Sequence, residues 1–478
     1  MHELAGKNVL VLGLGKSGVA ASRLLRARGA RVRVIDSADS NQLAAQAASL
    51  LAMGINVSLG ATRLPGESFD LAVISPGVPP NLPVVMEVRA RGIPIIGELE
   101  LGYQQSGCRN ISITGTNGKT TTTELVERML KACQRKTIAA GNIGLPICEI
   151  VERTKELDLL TLEVSSFQLE TIKDFRPSVA VLLNIAPDHL DRYQSIDEYL
   201  QAKARLFVNQ QPSDWAIIQS EAMTQLLNAG VVLQSQIITF SAKDDGADLY
   251  LDGHLIVERL ANGKRVWLDL NDCHLKGAHN AENLMAALAV GRILRLPRRE
   301  MNAALQSYEP APHRCELVGE IDGVRYVNDS KATNPHAVAY AIASMPNRPS
   351  GKRNVLLIAG GKEKGLPYGD LAPILVQRVK KAYLLGETRK TLLAAWRPFT
   401  PCALVGSLLE AVSSASQDAE AGDVVLLSPA CSSFDMFRDY QHRGEDFRTA
   451  VQQLRKARIP EFAPGSTFAA TPAGALHE

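Results

Sequence analysis

Short apolar runs alternate with amphipathic stretches along most of the chain. The runs Lys7–Leu12, Arg31–Asp36 and Leu71–Ser75 have the length and composition of buried β-strands, and Val19–Arg28 has helical character. Strands that alternate with helices form βαβ units with parallel strands. The first part of the chain is therefore predicted to be an α/β domain, and the Pro/Gly cluster Pro94–Gly97 marks its expected end.

The alternation of predicted strands and helices begins again at two further points in the chain. One series of strands begins at Asn110–Thr114 and another at Asn354–Ala359, with Pro310 and Pro312 between them. Proline restricts its own backbone and that of the residue before it, so a second boundary is expected at these prolines. A length of 478 residues predicts two to four domains. The small, polar, proline-spaced tail from Ala463 is predicted to be disordered.

Composition excludes several classes of protein. Hydrophobic residues make up 46% and charged residues 21%, as in a soluble globular protein. Because 52 Lys and Arg nearly balance 50 Asp and Glu, nucleic acid is not expected as a partner. No apolar run is long enough to predict a membrane span. Seven scattered cysteines without a CxxC pair, and no signal peptide, favour a reducing, cytoplasmic location.

The loop Gly115–Thr120 carries the strongest chemical signal. It reads GTNGKT and lies between a predicted strand and a predicted helix, which is the required context for a phosphate loop. Glycines let backbone N–H groups surround a phosphate, and the following helix directs its positive end to the same anion. Lys119 adds a charge for the terminal phosphates, and Thr120 offers a hydroxyl to Mg²⁺. The longer phosphate-loop pattern would place glycine at Ile113, so this is a shorter form; a plain glycine turn is the alternative.

A second glycine-rich loop follows the first strand. Gly13–Gly18 reads GLGKSG, an intact GxGxxG, and Asp36 closes the next strand at nearly the expected spacing. The pattern predicts a diphosphate at the helix terminus but leaves NAD, FAD and nucleotide sugars open. A degenerate Rossmann-like domain that binds nothing is the other interpretation.

Further polar residues follow other predicted strands. Glu163 and His189 come at or just after the carboxyl ends of strands, where ligands bind in α/β proteins and a carboxylate can hold Mg²⁺. Three polar loops in the last third also follow strands, and we expect them to converge on one pocket: Asn328–Asn334, Gly360–Lys364 and Ser428–Phe434. Spacing alone gives no reason to distinguish Lys203 from a solvated helical lysine.

Together these segments resemble the Mur ligase family of peptidoglycan synthesis, over about Lys7 to Ile459. The matching segments, in chain order, are GLGKSG, SPGVP, TGTNGKTTT, GNIGLP, EVSSFQLE, NIAPDHLDRY, the AK of YLQAKARLF, GAHNAENLMAAL, PHRCE, NDSKATNP, AGGKEKG and SPACSSFDMFRDYQHRGEDF. Within the family, NDSKATN and SPACSSFD resemble the members that add D-glutamate. Members that add other amino acids tend to carry a D-[YG]-[AG]-H-x-P type sequence at the NDSKATN position, and this chain lacks it.

The resemblance implies an α/β fold with three domains, and the tail that composition predicts to be disordered lies outside it. The N-terminal domain (1–98) is Rossmann-like and takes the UDP end of the substrate. The central domain (99–309) is a P-loop ATPase with a mostly parallel sheet. The C-terminal domain (310–462) is Rossmann-like and takes the amino acid, and the tail (463–478) follows it. The implied enzyme is an ATP-dependent acid–amino-acid ligase, acting through an acyl phosphate and a tetrahedral intermediate. The implied substrates are UDP-N-acetylmuramoyl-L-alanine and D-glutamate, and the cofactor is Mg²⁺, with two ions expected. A monomer is expected.

The resemblance also assigns roles to matching residues. The expected catalytic group is Lys119, Glu163, His189 and Lys203; the expected metal ligands are Thr120, Glu163, His189 and a carbamylated Lys203. The residues expected to bind ATP are Gly115, Thr116, Asn117, Gly118, Lys119, Thr120, Thr121, Asn280, Asn283, Arg314 and Asp329. For the UDP substrate they are Gly13, Gly15, Lys16, Ser17, Asp36, Ser37, Ser75 and Asn142, the last also close to the γ-phosphate and acyl group. For D-glutamate they are Thr333, Lys364, Ser433 and Phe434, with Lys362 as the alternative to Lys364.

Three other functions remain open from the sequence. One is a related ligase that adds a different amino acid. Another is a nicotinamide-dependent oxidoreductase, suggested by GLGKSG and Asp36, although such an enzyme needs no second phosphate loop. The third is a P-loop module whose ATP hydrolysis drives a partner, although the chain has no obvious partner helix or charge run.

Overall fold

The structure is a computed structural model that describes residues 3–190, 192–348 and 351–458. The predicted disordered tail, 463–478, lies outside the described residues. The described residues divide into two compact units: those within 3–312 and 364–367, and those within 313–363 and 368–458. Among the described residues, no helix combines the length and the apolar character needed to cross a lipid bilayer.

The first unit begins with a parallel sheet of order β3-β2-β1-β4-β5. Its strands are β1 (Asn8–Leu12), β2 (Arg31–Ile35), β3 (Asn56–Ser58), β4 (Leu71–Ile74) and β5 (Ile95–Gly97). The helices up to its end are α1 (Lys16–Ala27), α2 (Asn41–Leu51) and α3 (Pro83–Ala90), and α4 (Glu98–Gln105) follows directly. Helix α1 begins three residues before its predicted start, because Gly15 at the end of the glycine loop is already its N-cap.

A longer sheet in the same unit has the order β14-β13-β12-β11-β10-β9-β6-β8-β7. Its strands are β6 (Arg109–Thr114), β7 (Thr137–Gly141), β8 (Leu159–Glu163), β9 (Val179–Leu182), β10 (Trp215–Gln219), β11 (Gln236–Ser241), β12 (Leu249–Asp252), β13 (Leu255–Leu260) and β14 (Gly263–Asp269). The helices are α5 (Lys119–Ala132), α6 (Ile147–Ile150), α7 (Ser166–Leu169), α8 (Ile196–Ala204), α9 (Ser220–Asn228), α10 (Ala278–Ile293) and α11 (Arg298–Gln306). The pairings are parallel except at β12–β13 and β13–β14, which are antiparallel.

Helix α10 packs against one face of the longer sheet. Its residues 281–291 are all buried, and Leu284 and Leu288 share a hydrophobic core with Leu125 and Met129 of α5 and with Ile113 of β6. A helix that is apolar on every side is stable only when it is enclosed. The two helices thus hold the phosphate loop, which connects β6 to α5, against a fixed core.

The second unit contains a sheet of order β15-β16-β20-β17-β18-β19, in which only β15 and β16 pair antiparallel. Its strands are β15 (Glu316–Ile321), β16 (Val324–Asn328), β17 (Val355–Gly360), β18 (Val379–Leu385), β19 (Cys402–Leu404) and β20 (Val424–Leu427). Its helices are α12 (Pro335–Ser344), α13 (Ala372–Arg378), α14 (Arg389–Trp396), α15 (Leu408–Asp418) and α16 (Tyr440–Arg458). Because β16, β20 and β17 are neighbours, the polar loops that follow them leave the same edge of the sheet.

Candidate active site

The phosphate loop has the backbone conformation that its glycines predict. Gly115 and Gly118 have φ angles of +155° and +85°, the region in which only glycine is unstrained. A side chain at Gly118 would also approach Asn283 Oδ1 to 2.4 Å. The glycines are therefore required by the backbone path and by the close approach of α10.

An amide after β9 fixes this loop. Asn184 Oδ1 accepts a hydrogen bond from the Asn117 N–H at 2.8 Å, and Asn184 Nδ2 donates to the Asn117 carbonyl at 3.1 Å. The Thr116 hydroxyl donates to the Ala186 carbonyl at 3.1 Å. The sequence analysis did not single out Asn184; its position just after a strand adjacent to β6 was the available signal. The loop is thus preorganised by its neighbouring strand.

Two lysines meet at this loop. Lys119 Nζ lies 2.8 Å from the Gly115 carbonyl and 2.7 Å from the Thr116 carbonyl. Lys203, on α8, is buried, and its Nζ lies 2.8 Å from the same Gly115 carbonyl. Burial, and then the charge of Lys119, hold the pKa of Lys203 well below its usual value. A pKa lowered in this way favours the neutral form of the amine, and its burial means that Lys203 is not a solvated helical lysine.

Two asparagines at the start of α10 border the phosphate loop. Asn283 Oδ1 accepts a hydrogen bond from the Thr122 hydroxyl at 3.1 Å, and Asn283 Nδ2 donates to Asn280 Oδ1 at 3.2 Å. Thr120 and Thr121 belong to the first turn of α5, next to Lys119. The predicted ATP residues of the first unit, Gly115–Thr121 with Asn280 and Asn283, therefore form one cluster.

Glu163 is the last residue of β8, and only one of its two carboxylate oxygens has a hydrogen-bond partner among the described residues. Asn142 Nδ2 donates to Glu163 Oε1 at 2.7 Å, and the buried Oε2 has no partner among the described residues. An unpartnered buried carboxylate oxygen costs free energy unless a cation or donor meets it. This oxygen fits a Mg²⁺ ligand. Within the described residues no group of three or more His, Cys, Asp or Glu side chains could hold a metal, so phosphate or substrate oxygens would complete the shell.

His189 is kept neutral and has an uncommon backbone conformation. Its φ is +55°, and its pKa is lowered to about 4, first by burial and then by the charges of nearby lysines including Lys119 and Lys203, against the opposing effect of Asp188. A neutral imidazole offers a lone pair to a metal ion. The ring packs on Phe167, with centroids 4.7 Å apart. His189 therefore suits metal binding better than proton donation.

A cleft of about 580 Å³, here called the β1–β4 cleft, opens at the carboxyl ends of β1 and β4. All eight residues predicted for the UDP substrate line it: Gly13, Gly15, Lys16, Ser17, Asp36, Ser37, Ser75 and Asn142. The Asp36 carboxylate accepts hydrogen bonds from the N–H groups of Leu14 and Ala38 at 2.7 and 2.9 Å, and so it also fixes the glycine loop. Gln168, Pro76 and Val78 line the cleft and were not predicted.

In the second unit the three polar loops are hydrogen-bonded to one another. The Ala430 N–H donates to the Ala332 carbonyl at 3.0 Å, and the Lys362 N–H donates to the Ser432 carbonyl at 2.9 Å. Arg443, buried on α16, donates to the carbonyls of Ser330 and Cys431 at 2.8 and 3.1 Å. Parts of Asn328–Asn334, Gly360–Lys362 and Ser428–Phe434 therefore lie together at one edge of the sheet, and the pocket predicted between them stays a prediction. Arg443 was missed by the sequence analysis.

These loops carry most of the residues predicted for the amino acid. Ser433 is buried, Thr333 is half-buried and Phe434 is 67% exposed. Lys364, in contrast, belongs to the first compact unit, where its Nζ lies 2.6 Å from Asp188 Oδ1. The second unit therefore contains Thr333, Ser433 and Phe434. Lys364 lies in the first unit, beside Asp188.

Arg314 and Asp329 lie near each other in the second unit. Asp329 accepts hydrogen bonds from the Ser428 hydroxyl at 2.9 Å and the Cys315 N–H at 3.1 Å. Burial raises the pKa of Asp329 to about 7, although these hydrogen bonds and the Arg314 charge lower it. Near neutral pH this carboxyl therefore gains or loses its proton easily.

Comparisons with known proteins identify the family to which this chain belongs. Three family models match in order: the MurD-like N-terminal domain of Mur ligases at residues 7–97, the Mur ligase middle domain at 113–291, and the Mur ligase glutamate ligase domain at 313–431. The chain belongs to the Mur ligase family, with its three-domain α/β architecture, and it is a ligase.

Individual proteins and solved structures are also similar to this chain. The UDP-N-acetylmuramoylalanine–D-glutamate ligase of Geobacter metallireducens is 40% identical over 461 residues, which cover 96% of this chain and 100% of that protein. Among solved structures, the UDP-N-acetylmuramate-alanine ligase MurC of Thermotoga maritima has a TM-score of 0.59 at 17% identity, covering 95% and 100% of the two chains. The MurF ligase of Thermotoga maritima in complex with ADP has a TM-score of 0.58 at 16% identity, covering 95% and 96%. These two structures establish the fold alone.

Proposed function

We propose that this enzyme forms the amide bond between D-glutamate and the L-alanyl carboxylate of UDP-N-acetylmuramoyl-L-alanine, with ATP as phosphoryl donor, in peptidoglycan precursor synthesis. The observation that carries the proposal is the position of Asn142. Its side chain lines the β1–β4 cleft and donates to Glu163 beside the phosphate loop. In this proposal Asn142 borders both the UDP end and the reacting end of the substrate. The 40% identity to a D-glutamate ligase along the whole chain supports the choice of amino acid.

The reaction needs activation because a carboxylate at neutral pH is a poor electrophile. The carboxylate oxygen attacks the γ-phosphorus of ATP, and ADP leaves. The free amine of D-glutamate then attacks the acyl carbon, the tetrahedral intermediate expels inorganic phosphate, and the nitrogen loses a proton. The enzyme contributes mainly position and charge neutralisation.

The phosphate loop and α10 supply the ATP contacts in this proposal. Lys119 neutralises the β- and γ-phosphates in place of its bonds to the Gly115 and Thr116 carbonyls. The N–H groups of Gly115–Thr121 surround the phosphates, and Asn280 and Asn283 face the nucleoside. Arg314 and Asp329 of the second unit complete the ATP contacts.

Magnesium would be held by the Thr120 hydroxyl, the unpartnered Glu163 Oε2 and the neutral His189 imidazole. When bound, Mg²⁺ withdraws charge from the transferring phosphoryl group and the acyl oxygen. We propose two ions. The residues fit this role because they are one carboxylate, one hydroxyl and one neutral imidazole, with room left for phosphate oxygens.

Lys203 would hold the second ion as a carbamate. Its neutral amine forms a bond to the carbon of CO₂ and releases one proton, which gives an anionic group. The low pKa of Lys203, caused by burial and by Lys119, is the condition that this chemistry needs.

The two substrates are assigned to separate surfaces. The β1–β4 cleft takes the UDP end through Gly13, Gly15, Lys16, Ser17, Asp36, Ser37 and Ser75. D-glutamate is recognised by Thr333, Ser433, Phe434 and Lys364, with Lys364 pairing one carboxylate. We place the domain boundaries at 98/99 and 309/310, and we propose a monomeric, cytoplasmic enzyme.

The test is phosphate release with UDP-N-acetylmuramoyl-L-alanine, ATP and Mg²⁺, with one amino acid added at a time. D-glutamate should give phosphate in step with a new amide product, whereas L-glutamate, L-alanine and meso-diaminopimelate should not. Phosphate release with a different amino acid would replace this function by that of another ligase of the family. Release without any amino acid would favour a simple ATPase. A change in NADH fluorescence on mixing would favour the oxidoreductase.

A further inference from the structure

Arg192 connects the wall of the β1–β4 cleft to the region around His189. It lies between β9 and α8, and its side chain is 16% exposed. Its Nη1 donates to the carbonyl of Pro76 at 3.1 Å, and its Nη2 donates to Glu170 Oε2 at 2.6 Å. These partners lie 116 and 22 positions away in the chain, so one guanidinium joins three separate segments.

The Glu170 side of this connection is held firmly. Glu170 Oε1 accepts a hydrogen bond from the Tyr193 hydroxyl at 2.6 Å, so both carboxylate oxygens are engaged. The guanidinium carbon of Arg192 lies 4.1 Å from the centroid of the Phe167 ring, and that ring packs on His189. Cation–π contact of this kind adds to the ion pair. Arg192 is therefore fixed relative to the imidazole that faces the phosphate loop.

The Pro76 side belongs to the substrate cleft. Residues Ser75–Pro79 follow β4 and all line the β1–β4 cleft. The Ser75 hydroxyl donates to the Gly13 carbonyl at 3.1 Å, and the Val78 N–H donates to the Ser75 carbonyl at 3.0 Å. The segment that Arg192 contacts at Pro76 is thus hydrogen-bonded to the glycine loop on the other side of the cleft.

We infer that Arg192 is a positioning residue, which sets the Ser75–Pro79 wall of the cleft at a fixed distance from His189 and Glu163. The inference rests on the proposed function, because the cleft must hold the UDP end while the alanyl carboxylate reaches the γ-phosphate. Arg192 touches neither reacting atom. Its effect is to align a substrate that is anchored at one end and reacts at the other.

The chemistry of the side chain explains why arginine is needed. A planar guanidinium donates in two fixed directions, here to a carbonyl and to a carboxylate, whereas an ammonium is a single point charge. Arg192→Lys keeps the charge but lacks the planar pair of donors that holds both acceptors in fixed directions. Arg205 offers a matched control, since it too donates to backbone carbonyls, those of Leu169 and Ile172 at 2.7 and 2.8 Å, without contacting the cleft.

The experiment compares the wild-type enzyme with Arg192→Lys and Arg205→Lys. We expect Arg192→Lys to raise the KM for UDP-N-acetylmuramoyl-L-alanine about tenfold, because the Ser75–Pro79 wall is no longer held in place and must be ordered on binding, while the KM for ATP changes less than about twofold. Arg205→Lys should lower the melting temperature and leave the ratio of the two KM values unchanged. Equal changes in both KM values for Arg192→Lys, or no change, would overturn the role of Arg192.

Direct binding keeps this inference separate from the proposed function. The Kd of UDP-N-acetylmuramoyl-L-alanine is measured by calorimetry for the wild type and Arg192→Lys, without D-glutamate. We expect the Kd to rise about tenfold in Arg192→Lys, and an unchanged Kd would overturn the inference whether or not the wild type ligates D-glutamate. Wild-type binding without turnover would contradict the proposed function alone.

Discussion

The side-chain amines of Lys119 and Lys203 both lie 2.8 Å from one acceptor, the carbonyl oxygen of Gly115. Burial lowers the pKa of Lys203 most, and the nearby charge of Lys119 lowers it further. The lowered pKa of Lys203 is therefore built into the same loop that cradles the phosphate in the proposed mechanism. In the proposed mechanism the two side chains have separate tasks, with Lys119 neutralising the phosphates and Lys203 acting as the nucleophile toward CO₂.

The carbamate proposal predicts chemical rescue. Lys203→Ala should reduce kcat by at least about 100-fold, because a ligand of the second Mg²⁺ is lost, and acetate or another short carboxylic acid should restore part of the activity. The measurement is the phosphate-release rate against added acid. Lys119→Ala serves as control, since its loss of charge on the phosphates should not be rescued. Full activity of Lys203→Ala without acid would remove the carbamate from the mechanism.

The two glycines Gly15 and Gly18 should differ in what they do. A β-carbon at Gly18 would lie 1.9 Å from the Gly13 carbonyl oxygen, whereas a β-carbon at Gly15, which lines the cleft, would meet no atom within 4 Å among the described residues beyond its own chain neighbours. Gly18→Ala should therefore destabilise the protein by about 2–3 kcal/mol. Gly15→Ala should leave the melting temperature unchanged and raise the KM for the UDP substrate.

Thermal melts and substrate kinetics on both variants check this pair. The opposite pattern, with Gly15→Ala unfolding easily and Gly18→Ala binding weakly, would place the diphosphate elsewhere.

Glu98 should make the stability depend on pH. It is buried at the start of α4, its Oε1 accepts the Cys148 N–H at 2.7 Å, and burial raises its pKa from 4.5 to about 7. Between these two values the folded state binds a proton that the unfolded state has released, so stability falls as the pH rises and levels off above about 7. The free energy of unfolding falls by at most about 3 kcal/mol over this pH range.

Glu98→Gln removes this titration while it keeps the acceptor for Cys148. Urea unfolding of the wild type and Glu98→Gln between pH 5 and 8 should give curves that diverge, with Glu98→Gln relatively more stable at the higher pH. Parallel curves would mean that Glu98 keeps an ordinary pKa in the folded state.

Arg443 should matter for stability and for the amino acid together. Its buried guanidinium donates to carbonyls in two of the C-terminal loops, those of Ser330 and Cys431. Arg443→Met leaves these carbonyls buried without a donor, which costs about 1–3 kcal/mol for each. We expect a lower melting temperature and a higher KM for D-glutamate. Full stability with an unchanged KM would show that the loops hold their shape without Arg443.

Local patterns predicted much of the fold and the cleft. The glycine loop, the phosphate loop and the strands β1, β2 and β4 could be identified because each depends on neighbours in the chain. The antiparallel strands β12–β14 were not identified, since their short, partly exposed runs lack a buried apolar signal. Helix boundaries shifted by a few residues, as at α1, because the cap and not the apolar face decides where a helix begins.

The missed site residues depend on long-range contacts. Asn184 meets Asn117 across 67 positions and Arg192 meets Pro76 across 116, and neither spacing leaves a local pattern in the sequence. Lys203 looked like a solvated lysine because its burial comes from the packing of α8 against the phosphate loop. Such residues can be found from a single sequence only through a family resemblance, as Lys203 was.

The most direct test of the central claim follows an oxygen atom. UDP-N-acetylmuramoyl-L-alanine, with both oxygens of the alanyl carboxylate replaced by ¹⁸O, is incubated with the enzyme, ATP, Mg²⁺ and D-glutamate, and the released phosphate is analysed by mass spectrometry. An acyl phosphate predicts that each phosphate carries one ¹⁸O, since the carboxylate oxygen that attacked the γ-phosphorus leaves with it. Phosphate without ¹⁸O, formed in step with the amide product, would contradict the account.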